Sequence, residues 1–359
     1  MNDRLPRCRA LLDDLGLGGV VVSEAADVRY LSGFRGEDTT LIIGREAALI
    51  CTDARFWEQA REEALGFELV QAAGADLIAD TVVAAAEQLG TEAWLGFQGA
   101  SLSYEKYRRL RRRHRGRLRD VGGRVSRLRL VKDAAEIEVM RRAAALTDEA
   151  LAAVVARGLV GRREADVAWD LLAEYHRLGA DGEAFPAIVA SGAHGAQAHA
   201  IPGERVIAAG DLVVIDTGAR LDGYCSDITR TYAAGEPAAD LRRVYDVVLA
   251  AQLAGLAAVR DGAHGRHDVD AAARAVIEAA GYGEKFGHGT GHGVGLEVHE
   301  APGLGRTRGD PLAAGMVCTV EPGIYIEGLA GVRVEDTVLV TAAGCERLTA
   351  SPKELQVVG

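Results

Sequence analysis

Several kinds of sequence feature are scarce in this chain of 359 residues. Its five cysteines are odd in number and scattered, and none stands in a CxxC pair. This pattern indicates a reducing compartment and packing roles for the thiols. The first residues lack a sustained apolar segment, so no signal peptide is expected. No stretch approaches the ~20 apolar residues of a membrane-spanning helix, and we therefore expect a cytoplasmic protein with no membrane partner.

Positive charge is also in short supply, because 41 Lys and Arg residues face 52 Asp and Glu residues, for a formal net charge of -11. An acidic chain is a poor partner for nucleic acid, so none is expected. Residues 107–129 form the one strongly basic run. Because no stacking aromatic residues are interleaved with its arginines, we interpret it as the solvent-facing side of a helix followed by a linker strand, rather than as a phosphate or nucleic-acid site.

The chain contains enough apolar residues, 48%, for a well-buried globular protein, and its length predicts two domains. We place the boundary near Gly122-Gly123. An α/β domain is expected over residues 1–125 and an α+β domain over residues 130–359, with helices packed on a mainly antiparallel sheet. The apolar periodicity of the first domain predicts helices over 5–15, 56–65 and 76–89, and strands over 19–22, 41–43, 48–50 and 93–97.

The second domain begins with a helix-capping pattern. Asp133 stands where an N-cap residue belongs, and Glu136 follows three positions later, which is the spacing of a capping box. Apolar spacing then predicts helices over residues 132–156, 163–178, 238–260 and 267–280. Runs between these helices predict strands over residues 212–216, 224–232, 316–321 and 331–340.

A glycine-rich segment, residues 286–300, carries three histidines. His288, His292 and His299 stand in a segment that contains too much glycine for an ordinary helix. Glycine permits positive φ angles and a close approach of the backbone to a ligand, at an entropic cost. We interpret the segment as part of a shaped binding site rather than as a mobile loop.

Four acidic residues stand within predicted strands or at their ends: Asp216, Asp227, Glu321 and Glu335. A buried carboxylate without a partner is costly, so four of them beside a histidine segment suggest a shared cation. Oxygen ligands with one imidazole suit Mn²⁺, Fe²⁺, Co²⁺ or Zn²⁺. Four carboxylates balance two divalent ions better than one, and two ions about 3.5–4 Å apart can clamp a hydroxide and polarise a carbonyl. This chemistry predicts a dinuclear hydrolase.

Together with His292, these residues resemble the ligand set of the pita-bread metallopeptidases, in the branch that cleaves before proline: Xaa-Pro aminopeptidases and Xaa-Pro dipeptidases, or prolidases. The resemblance covers nearly the whole chain. Its motifs are VVIDTGA for Asp216, YCSDITRTY for Asp227, GTGHGVGLEVHE for His292, TVEPGIY for Glu321 and GVRVEDT for Glu335. It implies a curved pita-bread sheet in the second domain, a creatinase-type first domain, and two divalent metal ions per subunit. Mn²⁺ is the first expectation, with Co²⁺, Zn²⁺ or Fe²⁺ as alternatives.

The resemblance implies a role for each predicted ligand. Asp227 and Glu335 would bridge the two metal ions. Asp216 would chelate one ion, while His292 and Glu321 would bind the other. Hydrolysis would then use a hydroxide bridged between the two metal ions.

The resemblance also implies five catalytic residues, namely His199, His288, His299, Glu321 and Arg333. In the family pattern, His199 matches a substrate-binding histidine, and His299 matches one that contacts the region of the scissile carbonyl. His288 matches a histidine that lines the proline side, and Arg333 matches an arginine near the metals. Proline-containing peptides would be the substrates.

The first domain helps to choose among relatives. Residues 28–34 and 52–56 resemble segments of the creatinase-type N-terminal domain, which in relatives helps to form a dimer. Methionine aminopeptidases share the metal ligands but lack this domain, and creatinase lacks the intact ligand set. The resemblance therefore implies a peptidase that forms a homodimer or higher homo-oligomer. A non-catalytic binding protein of the same fold is a further alternative, disfavoured because all five ligands are retained.

One position departs from the prolidase pattern. Dipeptidases must hold the free carboxylate of the C-terminal proline, for which a cation is the natural partner. Many prolidases carry an arginine directly after the His-Glu-x-Pro segment, and here that position is Gly303, with Arg306 and Arg308 further on. Without the matching cation, the sequence favours a short-chain Xaa-Pro aminopeptidase, which removes the first residue of longer peptides. An Xaa-Pro dipeptidase is the alternative.

Overall fold

The computed structural model describes residues 3–72, 80–81, 94–114 and 116–359. The chain divides into two compact units, Met1–Arg129 and Leu130–Gly359. The helix predicted over residues 76–89 lies outside the described residues, apart from Asp80 and Thr81. Within the described part of the chain, no helix is both long and apolar enough to cross a membrane.

The first unit contains one mixed sheet. Its described strands are β1 Gly19–Val22, β2 Thr39–Gly44, β3 Ala48–Thr52, β4 Glu68–Gln71, β5 Leu95–Phe97 and β6 Leu118–Asp120. Its described helices are α1 Arg4–Leu15, α2 Ala25–Ser32, α3 Trp57–Glu63 and α4 Tyr104–Arg113. The strand order is β4-β3-β2-β1-β5-β6, antiparallel between β1, β2 and β3 and parallel elsewhere. The predicted α/β character is confirmed, and the strands predicted over residues 41–43 and 48–50 pair as the antiparallel strands β2 and β3. Described residues of the basic run lie in α4 and in the edge strand β6.

The second unit alternates helices with short strands. Its α-helices are α5 Ala134–Val155, α6 Glu164–Leu178, α7 Ala239–Ala258 and α8 Ala271–Ala279, the last preceded by a π-helical turn over Gly265–Asp270. Its first strands are β7 Gly182–Glu183, β8 Ile188–Ser191, β9 Leu212–Thr217, β10 Ala219–Leu221, β11 Tyr224–Cys225 and β12 Ile228–Ala234. Its later strands are β13 Gly291–Gly293, β14 Glu300–Leu304, β15 Val317–Val320, β16 Gly323–Ile326, β17 Ala330–Arg333, β18 Asp336–Val340, β19 Cys345–Arg347 and β20 Val357–Val358.

The predicted start of α5 is confirmed in atomic detail. The backbone N–H of Glu136 donates to Oδ1 of Asp133 at 2.9 Å, and the N–H of Asp133 donates to Oε2 of Glu136 at 2.8 Å. This reciprocal pair is a capping box. It satisfies two backbone N–H groups that an uncapped helix would leave without partners.

Two mainly antiparallel sheets carry the site in the second unit, in the orders β20-β12-β9-β8 and β14-β13-β15-β18-β19. Helices α5 and α6 pack on the first sheet, where Leu171 joins Ile215 in one apolar cluster. Helices α7 and α8 place Tyr245 and Ile277 against Leu212 in a second cluster. Burial of these side chains supplies the main stabilisation of such layers. The predicted α+β class, with helices packed on mainly antiparallel sheets, is confirmed.

Two predicted strands are wrong as continuous elements. The run 224–232 divides into β11 and β12, and the run 331–340 divides into β17 and β18. Every residue of both runs is buried, so an alternation of apolar and polar residues could not reveal the breaks. The breaks occur at Asp227 and Glu335, which are thereby released from the regular ladder. The N–H of Glu335 donates to the carbonyl of Thr229 at 3.1 Å, so the two breaks lie side by side.

Candidate active site

The five predicted metal ligands come together on neighbouring strands of the second unit. Asp216 lies in β9, and Asp227 immediately precedes β12, the antiparallel neighbour of β9. His292 is the central residue of β13, and Glu321 directly follows β15. Glu335 directly precedes β18, which pairs antiparallel with β15. Strand pairing thus gathers the first two residues in one sheet and the other three in a second sheet. The hydrogen bond from the N–H of Glu335 to the carbonyl of Thr229 links the two sheets at this place.

His292 lies at the centre of this group. One potential ligand atom from each of Asp227, His292 and Glu335 lies within 4.8 Å of the others. Nε2 of His292 lies 3.6 Å from Oδ2 of Asp227 and 3.3 Å from Oε1 of Glu321. Nδ1 of the same ring lies 3.1 Å from the carbonyl oxygen of Gly293. A proton on Nδ1 satisfies that carbonyl and leaves the lone pair of Nε2 directed at the carboxylates, as a metal-binding imidazole requires.

Two carboxylates of the group have one oxygen bound by protein and one oxygen free. Nη2 of Arg333 donates to Oδ2 of Asp216 at 2.6 Å, and the hydroxyl of Thr229 donates to Oε2 of Glu335 at 2.7 Å. The other oxygens, Oδ1 of Asp216 and Oε1 of Glu335, are buried and have no hydrogen-bond partner among the described residues. Unpaired buried oxygens are costly unless a cation or water binds them. They therefore fit a site for divalent metal ions.

The directions of the pKa shifts of these groups also favour a site for divalent metal ions. Burial raises the pKa values of Asp227, Glu321 and Glu335, and the neighbouring carboxylates raise them further. Burial lowers the pKa of His292, which favours the neutral imidazole that binds metals. Four carboxylates and one neutral imidazole form an oxygen-rich donor set, which suits first-row divalent ions.

A second charged network lies behind the ligands. Asp336 follows Glu335 in the chain but is fully buried and pairs with Nη2 of Arg230 at 2.7 Å and with Nζ of Lys353 at 3.0 Å. Although burial opposes it, the positive charge of Arg230 and Lys353 lowers the pKa of Asp336 below its ordinary value. Arg230 also donates to the carbonyl of Glu335. This network fixes the backbone beside Glu335.

The three predicted substrate histidines line the same cavity as the predicted ligands. His199, His288 and His299 all line one cavity of about 480 Å³ together with the five ligands and Arg333. The rings of His299 and His292 have centroids 4.3 Å apart. Burial lowers the pKa values of His288 and His299, so both favour the neutral form. Phe185, Pro186, Ile201, Pro202 and Val298 form an apolar part of the same wall.

Tyr325 is a site residue that the sequence did not reveal. Its hydroxyl accepts a hydrogen bond from Nη1 of Arg333 at 2.7 Å and lies 2.8 Å from Nε2 of His288. Because Nδ1 of His288 lies 2.7 Å from the carbonyl of Gly289, a proton on Nδ1 leaves Nε2 to accept from the tyrosine. The chain of bonds therefore runs from His288 through Tyr325 and Arg333 to Asp216. The only sequence signal is that Tyr325 follows Glu321 by four positions, on the hairpin strand β16.

Comparison with known proteins assigns the chain to a family. Residues 138–342 match the model of metallopeptidase family M24, and residues 4–131 match that of the creatinase/prolidase N-terminal domain. The chain therefore belongs to metallopeptidase family M24, and the resemblance drawn from its motifs is confirmed. At this level the protein is a metal-dependent peptidase, for which peptides are the substrates.

Individual relatives refine this comparison. An Xaa-Pro dipeptidase from Pyrococcus furiosus is 35% identical over 99% of this chain and 100% of its own. An Xaa-Pro dipeptidase from Bacillus anthracis has a similar structure, with a TM-score of 0.95, 41% identity and 99% coverage of both chains. An X-Pro aminopeptidase from Thermotoga maritima follows, with a TM-score of 0.88, 35% identity, and coverage of 96% of this chain and 99% of its own. Xaa-Pro dipeptidases predominate among these relatives, so they fit our alternative better than the aminopeptidase that the sequence favoured.

Proposed function

We propose that the protein is an Xaa-Pro dipeptidase, which hydrolyses the bond before the C-terminal proline of a dipeptide. One observation carries this choice. Arg306 and Arg308 line a cavity of about 890 Å³ that shares His288, His292 and His299 with the cavity at the metal site. A dipeptide bound across the metal site can extend its carboxylate towards these guanidinium groups, which offer charge-assisted hydrogen bonds. Similarity to Xaa-Pro dipeptidases over nearly the full chain supports the same choice.

Gly303 is compatible with this proposal. A Cβ atom added at Gly303 would lie 2.9 Å from the Cβ atom of Arg308. The loop that carries Arg308 therefore occupies the space into which a side chain at position 303 would project. An unpaired, partly buried carboxylate is costly, and in our proposal the loop supplies the cation that position 303 lacks.

We infer that Asp216, Asp227, His292, Glu321 and Glu335 hold two divalent ions, with Asp227 and Glu335 between them. The close approach of one potential ligand atom from each of Asp227, His292 and Glu335 supports this inference. So do the 3.3 Å between His292 and Glu321 and the unpaired buried oxygens of Asp216 and Glu335. When bound, such ions polarise the scissile carbonyl and activate a water molecule. Mn²⁺ is the ion we expect first, and Co²⁺, Zn²⁺ and Fe²⁺ suit the same ligands.

The other predicted residues would bind the substrate and move its protons. His199 and His299 would donate hydrogen bonds to the scissile carbonyl, where negative charge develops. Glu321 would accept a proton from the attacking water, as a general base does. His288 would contact the proline, and Arg333 would hold a metal ligand in place.

Hydrolysis of matched peptides tests the choice of dipeptidase. With Mn²⁺, Co²⁺ and Zn²⁺ supplied in turn, Xaa-Pro should be hydrolysed faster than Xaa-Pro-Yaa with the same first residue. The double substitution Arg306→Ala and Arg308→Ala should lower kcat/KM for Xaa-Pro by ~10²-fold and leave that for Xaa-Pro-Yaa nearly unchanged. Arg260→Ala is the control, because Arg260 is exposed and lines neither cavity.

The Xaa-Pro aminopeptidase is the second candidate, favoured by Gly303 and by the structural similarity to the enzyme from Thermotoga maritima. It predicts the opposite order of rates. Faster hydrolysis of Xaa-Pro-Yaa, insensitive to both arginine substitutions, would establish it in place of the dipeptidase.

A further inference from the structure

The segment that carries His288 has little structure of its own. Between Phe286 and β13 the chain includes Gly287 and Gly289 and forms neither helix nor strand. Glycine-rich backbone loses much conformational entropy when it becomes ordered. The side chain of a histidine that binds substrate must nevertheless be held within a fraction of an ångström of its working position. Some other part of the unit must therefore hold this segment.

The required contacts come from a buried ion pair at the start of α8. Nε and Nη2 of Arg274 donate to the two carboxylate oxygens of Asp270 at 3.0 and 2.9 Å. Arg274 also donates from Nη1 to the carbonyl of Phe286 at 3.0 Å and from Nη2 to the carbonyl of His288 at 2.9 Å. Its guanidinium carbon lies 4.1 Å from the centre of the Phe286 ring. The side chain of Arg274 thus holds the segment at two alternate residues, Phe286 and His288.

Asp270 binds a third residue of the segment, Thr290. Its Oδ1 accepts hydrogen bonds from the hydroxyl of Thr290 at 2.9 Å and from the N–H of Thr290 at 3.2 Å. The carbonyl of Thr290 in turn accepts a hydrogen bond from the N–H of Glu321 at 2.7 Å. The same ion pair therefore connects the segment that carries His288 to the backbone of a predicted metal ligand.

The local helix geometry gives Asp270 its position. The turn over Gly265–Asp270 is π-helical and passes directly into α8, which begins at Ala271. Single π turns are rare in proteins as a whole, but many of those that do occur lie at functional sites. The wider turn changes the direction in which the following side chains point. Asp270 and Arg274 are four residues apart, so they lie on the same face of the helix and reach the segment together.

Arg274 has little capacity left for a substrate. A guanidinium group has five N–H donors, and four of them are engaged by Asp270 and the two carbonyls. Its side chain is also buried. In this respect it differs from Arg306 and Arg308, to which we assign the substrate carboxylate.

We propose that Asp270 and Arg274 are a positioning pair, which holds the segment 286–290 so that His288 meets the substrate. The proposal rests on the proposed function in one respect, the role of His288. It predicts that Arg274→Met lowers kcat/KM for Xaa-Pro by ~30-fold or more at unchanged metal content, and that added guanidinium ion restores part of the loss. Amide hydrogen exchange over residues 286–290 should become at least ~10-fold faster. Arg260→Met, at an exposed site, should change none of these quantities.

A double-mutant cycle separates this proposal from the proposed function. If Arg274 acts through His288, Arg274→Met should cost less than ~3-fold in a His288→Ala background. Fully additive losses, or unchanged exchange over residues 286–290, would overturn the positioning role. Wild-type turnover by His288→Ala alone would instead refute the role of His288 in the proposed function, and the exchange measurement would still decide whether the pair holds the segment. If Arg274→Met fails to fold, the same measurements can be made on Arg274→Lys. That variant keeps the positive charge but loses the bidentate hydrogen bonding of the guanidinium group.

Discussion

Nη2 of Arg333 lies 2.6 Å from Oδ2 of Asp216, and both side chains are largely buried. A buried charge-assisted hydrogen bond of this kind fixes a carboxylate while leaving its second oxygen available. Through its other nitrogens, Arg333 also donates to Tyr325 and to Thr229, which in turn donates to Glu335. One arginine therefore orients two predicted metal ligands from outside the ligand set.

The first prediction concerns this arginine. Arg333→Met would leave the Asp216 carboxylate buried without its cation, and we expect the free energy of unfolding of the metal-free protein to fall by roughly 3 kcal/mol. Arg333→Lys should lose less, because it keeps the charge. Urea denaturation in chelated buffer measures both. Equal free energies of unfolding for Arg333→Met and the wild type would mean that the ion pair between Arg333 and Asp216 does not stabilise the metal-free protein.

The second prediction concerns the metal ligands. Asp227→Ala should remove a carboxylate that lies between the two ions in our proposal and reduce turnover by ~10³-fold or more, a loss of roughly 4 kcal/mol in transition-state stabilisation. Asp240→Ala, at an exposed site on α7, is the control. Peptide hydrolysis and metal content should be measured on the same samples. Near-normal turnover by Asp227→Ala in fully chelated buffer would rule out the dinuclear mechanism.

The third prediction separates substrate binding from metal binding. His299→Ala should keep the metal content and the Tm near those of the wild type, because His299 is not in the proposed ligand set. Its kcat/KM should fall by ~10²-fold or more, since a hydrogen bond to the developing negative charge is lost. A variant that loses metal or unfolds, with unchanged kinetics in the fraction that remains, would show that His299 is a ligand or a structural residue.

The fourth prediction uses two glycines of the same segment as a matched pair. A Cβ atom at Gly291 would lie 2.0 Å from the carbonyl oxygen of Thr319, whereas a Cβ atom at Gly287 would have no atom of the described residues within 4 Å. Gly291→Ala should therefore separate β13 from β15 and abolish both metal binding and activity. Gly287→Ala should leave the metal content close to that of the wild type. Thermal melting and metal analysis distinguish the two, and a normal metal content in Gly291→Ala would contradict the close packing.

The residues that we propose as metal ligands stand out in the sequence because their surroundings are unusual for acidic side chains. Asp216 and Glu321 each end a run of buried apolar residues, where an acid without a partner is costly, and this contrast is legible in the sequence. The breaks at Asp227 and Glu335 were missed because the flanking residues are buried on both faces. The alternation of apolar and polar residues that marks the ends of strands in half-exposed sheets is absent there.

The supporting residues were missed for a different reason. Tyr325 resembles any aromatic residue of a buried hairpin, and Arg274 resembles a member of a surface ion pair on a helix. Their importance lies in which backbone or ring they contact, and only tertiary structure supplies that information. Gly303 shows a related limit, because its sequence position suggested a missing cation, while the structure brings the Cβ atom of Arg308 within 2.9 Å of the place that a Cβ atom at position 303 would take.

Glu335 directly precedes β18 and Asp336 is its first residue, yet Glu335 lies in the group of proposed metal ligands while Asp336 pairs with Arg230. Their pKa values are shifted in opposite directions, although both side chains are buried. Since a slip of one residue turns every side chain of a strand to the other face, a mispaired chain would bring Asp336 to the metals and leave Arg230 without its carboxylate. The ion pair between Asp336 and Arg230 thus disfavours the shifted register, because that register would leave the buried guanidinium group of Arg230 without its carboxylate partner.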